Sequence, residues 1–324
     1  EINNVLYALK LFANAYPNVT VICTSRDIDF SSIAPLTEGF KKVSIINMNL
    51  KQVKIFFDKW FKEKHSLSEK ALSALRGGFS EGLLPKTPLV LTLLAILFDE
   101  KDVKEVPANL TELYAMFCEL FLGRWDAARK IDSLFDYTLK DNLLTQIASE
   151  MQEARVESIS HSAIVHSIRT YLELRKLPHD PESLLKELIE RSQIITKAGI
   201  NSYRFRHLTF QHYFVSRRWN QEPHSEDKAI EKASDMWWRD VVFFYVGHRK
   251  ESFDLVRKIL EKPSPNTSAG LRKSLEVGYL LQAAYLTPHD QKIESVEFAT
   301  INYVRALPEM MQRMKADPLF KTLP

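Results

Sequence analysis

Residues 203–214 read YRFRHLTFQHYF, and this stretch says most about how the chain folds. Aromatic and basic side chains alternate up to His207, as at the end of a strand. After His207, the aromatic residues Phe210, Tyr213 and Phe214 recur at the spacing of a helix face. The stretch therefore predicts a strand that ends just before His207 and an amphipathic helix that begins there.

A β-hairpin is predicted immediately before this helix. Residues 193–196 and 202–205 are short β-type runs, and Gly199 and Asn201 between them are good turn residues. Amphipathic helices are predicted before the hairpin at residues 140–152, 161–174 and 181–191. Three helices followed by a two-stranded wing are the pattern of a winged-helix domain.

The first fifty residues predict a different architecture. Helical spacing at residues 4–15 ends at Pro17-Asn18, and residues 19–24 then form a short apolar, β-branched run. Such a run is typical of a parallel strand buried on both faces. A second, weaker strand is predicted at residues 42–47. We interpret this part as the tail of a parallel α/β domain whose earlier strands precede residue 1.

The rest of the chain is predicted to be helical, so the expected fold class is mainly α. Helix starts are indicated by Asn49, by the S-x-x-E capping box at Ser66, by Thr87-Pro88 and by Asn109. Residues 89–98 are apolar nearly all round, which predicts a helix enclosed by its neighbours. The last hundred residues are predicted to be helices with one loop at residues 263–268.

Composition excludes several classes of protein. The 324 residues are 45% apolar and 26% charged, and the net charge of +3 is too small for a dedicated nucleic-acid binder. Cys23 and Cys118 form neither a zinc motif nor a disulfide framework, which fits a reducing, cytoplasmic setting. No apolar run reaches the ~18 residues that span a bilayer. Histidine spacing gives no metal motif.

Arg26 is the first candidate binding residue, because it follows directly on the predicted strand 19–24. Ligands of open parallel sheets bind at the carboxyl ends of the strands. A guanidinium there can hold a phosphate with two hydrogen bonds, and Thr24 and Ser25 could add hydroxyl donors. An arginine on a surface loop explains the same pattern equally well.

Pro88 and His207 are the other two candidates. A proline at the first position of a helix is sufficiently explained by its fixed backbone angle and missing N–H. A histidine between a strand and a helix usually has a structural role. Spacing alone leaves both interpretations open at both positions.

Taken together, these segments resemble the C-terminal part of a NACHT-type signalling NTPase module of the STAND class. The order of the segments carries the resemblance: CTSR at 23–26, TPLVL at 87–91, residues 205–214 and WWRDV at 237–241. The resemblance implies four domains. They are the end of an α/β nucleotide-binding domain (1–48), a helical domain (49–107), a winged-helix domain (108–218) and a C-terminal helical domain (219–324).

The resemblance also implies roles for the candidates. Arg26 matches the sensor 1 arginine, which senses the terminal phosphate of the nucleotide. Pro88 matches a proline that packs on adenine, and His207 matches a histidine that contacts the β-phosphate of ADP. Phe205, Phe210, Gln211, Tyr213 and Phe214 match the histidine's motif. His212 departs from it, because a glutamate is usual there, and this places a local salt bridge in doubt.

By resemblance, the chain belongs to a cytoplasmic switch that exchanges ADP for ATP, with magnesium in the full-length protein, and then self-oligomerises. Such proteins act in innate immunity or anti-phage defence. Effector and sensor domains would lie outside this chain. The chain contains no G-x-x-x-x-G-K-[ST] motif and no acidic strand end for magnesium. We therefore expect any ATPase activity to belong to the full-length protein, and this segment alone to be inactive.

Two other functions compete with this interpretation. A winged helix could bind DNA, but residues 181–191 carry Lys186 and Arg191 against three glutamates, so nucleic-acid binding is not expected. A helical scaffold that binds only protein is the third possibility. Trp237-Trp238 is interpreted as a core anchor and not as a base-stacking platform.

Overall fold

The computed structural model describes residues 2–23, 41, 43–75, 84–100, 107–123, 135–264 and 266–316. Within these residues the chain forms fifteen α-helices and one sheet of three short strands. The predicted fold class, mainly α, is confirmed. The chain divides into two compact units, unit 1 (residues 1–47) and unit 2 (residues 48–324).

Unit 1 contains helix α1 (Ile2–Ala15), which confirms the first predicted helix. The two strands predicted after it are not formed in the described residues, because 19–23 and 43–47 are irregular. The burial predicted for the first strand is also wrong, since Ile22 is 84% exposed. Ile45 of the second segment is 97% exposed. A strand needs a neighbour to pair its N–H and C=O groups. The described residues of unit 1 provide none.

Unit 2 begins with the helices α2 (Leu50–Phe61), α3 (His65–Ala74) and α4 (Pro88–Asp99). Asn49 caps α2 as predicted. Its side chain accepts a hydrogen bond from the Gln52 N–H at 2.9 Å, and its own N–H donates to the Gln52 side chain at 2.9 Å. Helix α4 buries most of its side chains, which confirms that its neighbours enclose it.

The cap predicted for α3 at Ser66 is wrong. Helix α3 begins at His65, and Lys64 in the cap position makes no side-chain cap bond. A tight connection sets this start, because the Lys64 N–H donates to the Phe61 carbonyl at 2.9 Å. Ser66 therefore already lies within the first turn of the helix.

The middle of unit 2 combines five helices with the sheet. The helices are α5 (Leu110–Phe121), α6 (Tyr137–Glu153), α7 (His161–Leu174), α8 (Pro181–Glu190) and α9 (Leu208–Gln221). The strands are β1 (Ile159–Ser160), β2 (Ile195–Lys197) and β3 (Ser202–Phe205). The predicted hairpin is confirmed, with Thr196 opposite Arg204. Strand β1 was not predicted; it pairs antiparallel with β3 and places Ile159 opposite Tyr203.

The predicted helical character of the C-terminal part is confirmed over the residues described there, up to 316. These helices are α10 (Ser225–Lys232), α11 (Arg239–Arg249), α12 (Phe253–Glu261), α13 (Thr267–Leu275), α14 (Val277–Ala283) and α15 (His289–Ala316). A short 3-10 turn, Met236–Trp238, precedes α11.

One apolar core extends through unit 2, from Val53 to Ala299. Helix α9 lies at its centre, because it packs against α5, α6 and α11. The tryptophan pair contributes as predicted: Trp238 is buried and stacks on Trp219 of α9 with the ring centroids 5.3 Å apart. None of the described helices is both long and apolar enough to cross a bilayer.

Candidate functional site

The structure describes two of the three main candidates. Thr24, Ser25 and Arg26 lie outside the described residues. Pro88 is the first residue of α4, and His207 is the residue that precedes α9. Both side chains are exposed at the start of a helix. Helix α5 packs against both α4 and α9 and so links the two helices.

Local hydrogen bonds fix the start of α4 at Pro88. The Thr87 hydroxyl accepts a hydrogen bond from the Val90 N–H at 3.3 Å, and Pro88 has no N–H that would need a partner. The carbonyl of Lys86 accepts from the Met48 N–H at 2.8 Å. This bond holds the start of α4 beside the start of α2, so the exposed proline sits on a well-anchored backbone.

The backbone at His207 is held from both sides. Before it, the Arg206 N–H donates to the Ile194 carbonyl at 2.8 Å, and the Arg206 Nε donates to the Gln193 carbonyl at 2.7 Å. After it, Phe210 is buried and contacts the rings of Tyr114 and Phe117 of α5. The His207 side chain makes no cap bond to its own helix. Its imidazole is therefore not folded back onto the N–H groups of α9.

The other residues of the 205–214 motif are structural. Phe205, Phe210, Tyr213 and Phe214 are buried in the core. Gln211 is also buried, and its amide donates to the Gln152 side chain at 2.9 Å. Gln152 in turn donates to the Trp237 carbonyl, and the Trp237 indole donates to the Gln152 carbonyl, each at 2.8 Å. This network fastens α9 to α6 and to the turn before α11.

Helix α5 contributes a polar contact that the sequence did not indicate. The hydroxyl groups of Tyr114 and Thr209 lie 2.6 Å apart, directly beside the start of α9. Burial raises the pKa of the Tyr114 hydroxyl far above its usual value, so the group stays neutral. Thr209 follows His207 by two residues, and the contact therefore ties the candidate histidine to α5.

His212 replaces the expected salt bridge with an imidazole–carboxylate contact. Its Nδ1 lies 3.5 Å from Oδ2 of Asp240, and its ring meets Trp237 edge to face. Burial opposes the charge of Asp240, but His212, Arg239 and Tyr279 outweigh it and hold the pKa of this carboxyl below its usual range. A local side-chain contact to a carboxylate thus exists here with histidine in place of the usual glutamate.

A buried ion pair joins helices α6 and α8. Lys140 of α6 lies 2.8 Å from Glu187 of α8, and both side chains are almost fully buried. The burial of Glu187, one of the three glutamates of residues 181–191, was not predicted from the sequence. The signal was present: Lys140 precedes Leu143 and Leu144 by three and four residues, so it lies on the buried face of α6.

In the part of the chain that the structure describes, no group of three or more His, Cys, Asp or Glu side chains could hold a metal ion. Two features at the start of α9 suit a phosphate group. They are the exposed imidazole of His207 and the N–H groups of the first helical turn, which favour negative charge. The exposed ring of Pro88 suits an apolar contact with a flat base.

Residues 157–215 match the protein family described as Novel STAND NTPase 4. The match runs from β1 through the first half of α9, and it includes His207. It supports a STAND NTPase-type module in this chain. No protein of curated function matches the chain.

Proposed function

We propose that this chain, which contains a STAND NTPase-type segment, is part of a NACHT-like switch that is held closed by ADP. In this proposal His207 donates a hydrogen bond to the β-phosphate, and the ring of Pro88 packs against adenine. Thr24, Ser25 and Arg26 would engage the terminal phosphate of ATP. A bound nucleotide stabilises the arrangement in which all of these residues reach it, because it binds that arrangement best.

The observation that carries the proposal is the exposure of His207 within an otherwise buried motif. Neighbouring aromatic residues and Gln211 are explained by packing and by the network with Gln152. The His207 imidazole, in contrast, is exposed and makes no cap bond to α9. An imidazole N–H beside the positive end of α9 is suited to an anionic oxygen.

The finer assignments belong to the same proposal. We assign residues 108–218 to a winged-helix domain, because within this range α6, β1, α7, α8, β2 and β3 follow one another and the sheet order is β1-β3-β2. Magnesium binding, nucleotide-driven self-oligomerisation, a cytoplasmic location and a role in immunity or anti-phage defence are part of this proposal. So are the four domain boundaries and effector and sensor domains outside this chain.

The substitution His207→Asn tests the nucleotide contact in the full-length protein. Asparagine is a better helix cap than histidine, so α9 is expected to remain folded. Loss of a hydrogen bond to a charged acceptor, worth about 1.5–3 kcal/mol, should weaken ADP binding roughly 10- to 100-fold. The measurement is the ADP retained after purification, followed by titration calorimetry.

His224→Asn is the matched control, because His224 is also an exposed histidine in a helix cap position without a side-chain cap bond. Its substitution should leave ADP binding unchanged. Equal ADP affinity in wild-type and His207→Asn protein would remove His207 from the site.

A DNA-binding winged helix is disfavoured by the surface of α8. Glu182 and Glu190 are exposed there beside Lys186, so the helix does not present a basic face. A salt-dependent gel shift at low ionic strength would favour DNA binding over the nucleotide switch.

A further inference from the structure

A cavity of about 630 Å³ lies among α12, α13 and α15, in the C-terminal part of unit 2. This volume is in the range of small-molecule sites. The cavity is lined on one side by Lys262, Ser264 and Asn266 of the loop after α12, and on another by Phe298 and Asn302 of α15. Neither Pro88 nor His207 is among the residues that line this cavity.

Lys273 of α13 is the unusual member of the lining. Its side chain is buried, with only 6% of the residue exposed, and its ammonium donates to the Lys262 carbonyl. Among the described residues no ion pair joins Lys273 to a carboxylate. Buried charges in proteins normally have a partner of opposite sign, so the cavity contains a cation whose counter-charge is missing.

The two acids that line the cavity do not fill this role. Glu261 is bound to Arg257 at 2.7 Å. Glu309 also has an interaction of its own. Burial, followed by the nearby charge of Lys262, lowers the pKa of Lys273, and no carboxylate counteracts these two effects. The described residues around Lys273 therefore place a second cation, Lys262, near it and no paired carboxylate.

The remaining lining suits the rest of an anionic molecule. The Ser264 hydroxyl and the Asn302 amide offer further donors, and Thr267 opens α13 with the positive end of the helix facing the same space. Phe298 contributes an aromatic ring to the lining. The guanidinium carbon of Arg257 lies 4.3 Å from the centre of this ring. The site combines a cationic end with an apolar wall.

We propose that this cavity binds a small molecule that carries a phosphate or carboxylate group, with the anionic group on Lys273 and Lys262 and an apolar portion against Phe298. The site is separate from the proposed nucleotide contacts and does not rest on them.

Calorimetric titration of the chain with phenyl phosphate and with benzoate tests the proposal, and the two probes distinguish phosphate from carboxylate. At least one should bind saturably in the millimolar range or tighter, and phenol, which lacks the charge, should bind at least about tenfold more weakly. Saturable binding of neither anion, or equal binding of phenol, would overturn the proposal.

Lys273→Met should weaken binding of the anion about tenfold or more while retaining the length of the side chain. Lys262→Met is a second variant, and it should fold normally because Lys262 is an exposed loop residue. It should weaken binding of the anion severalfold. Lys186→Met, on the exposed face of α8, is the control and should bind like wild type. Wild-type affinity in both cavity variants would refute the assignment.

Discussion

His248 lies in the last turn of α11 with its Nε2 3.1 Å from the Ser216 hydroxyl. Because that hydroxyl itself donates to the Tyr213 carbonyl, it accepts from the imidazole. Burial, and then the charge of Arg217, lowers the pKa of His248 to about 4. The native protein therefore keeps this histidine neutral at pH values where an unfolded chain protonates it.

This difference predicts a pH-dependent stability. Between pH ~6.5 and ~4 the unfolded chain binds a proton that the native state excludes, so stability falls as pH falls through this window. The loss is at most about 3 kcal/mol, and less because water reaches the partly exposed ring. His248→Gln should flatten the dependence in urea titrations at pH 7, 6, 5 and 4.

His166→Gln serves as control for His248, because His166 is exposed on α7. It should follow the wild-type curve. A steep wild-type slope that persists in His248→Gln would show that other groups cause it.

At the scale of elements, the Lys140–Glu187 pair connects α6 with α8, and α8 leads directly into the hairpin before His207. Removal of one partner leaves a buried charge uncompensated, whereas removal of both leaves apolar surface. The ion pair therefore contributes more to the specific pairing of α6 with α8 than to the net free energy of unfolding of unit 2.

Lys140→Met alone should lower the free energy of unfolding by about 3–5 kcal/mol, because Glu187 remains buried. The double variant Lys140→Met/Glu187→Leu should recover most of this loss. Denaturant unfolding of both single variants and the double variant completes the cycle. Additive losses in the double variant would mean that the two side chains stabilise their helices independently.

At the scale of the whole molecule, the core residues of unit 2 span Val53 to Ala299, and unit 1 contributes none of the described core. Aromatic side chains on α5, α9 and α11 meet in this core, as at Tyr114, Tyr213 and Phe244. Unit 2 thus contains the apolar contacts that a domain needs in order to fold alone.

A chain that comprises residues 48–324 should therefore fold, with a thermal midpoint within a few degrees of the 324-residue chain, since a shift of about 1–2 kcal/mol moves a domain of this size by only a few degrees. Circular dichroism and calorimetry measure the midpoint. A substitution control is Ile45→Asp in the 324-residue chain, which alters an exposed residue of unit 1 and should be neutral. A collapsed midpoint in the shortened chain would show that unit 1 is required for folding.

Features whose interacting partners lie within a few residues of each other could be predicted from the sequence alone. Asn49, Thr87 and Asn109 all cap the helices that they were expected to begin, because each cap bond reaches only three residues ahead. The hairpin before α9 followed from the same local signals. The starts of α4 and α9, and with them the positions of Pro88 and His207, were predictable for this reason.

Features that depend on residues far apart in the chain could not be predicted, because they arise from the packing of the helices. The apolar run at 19–23 did not form a strand, because a strand requires a neighbour that local sequence cannot supply. The pairing of Lys140 with Glu187, the contact of Tyr114 with Thr209 and the burial of Lys273 arise where helices far apart in sequence pack together. Periodicity indicates which face of a helix is buried, but the partner on that face is set by the packing of the whole unit.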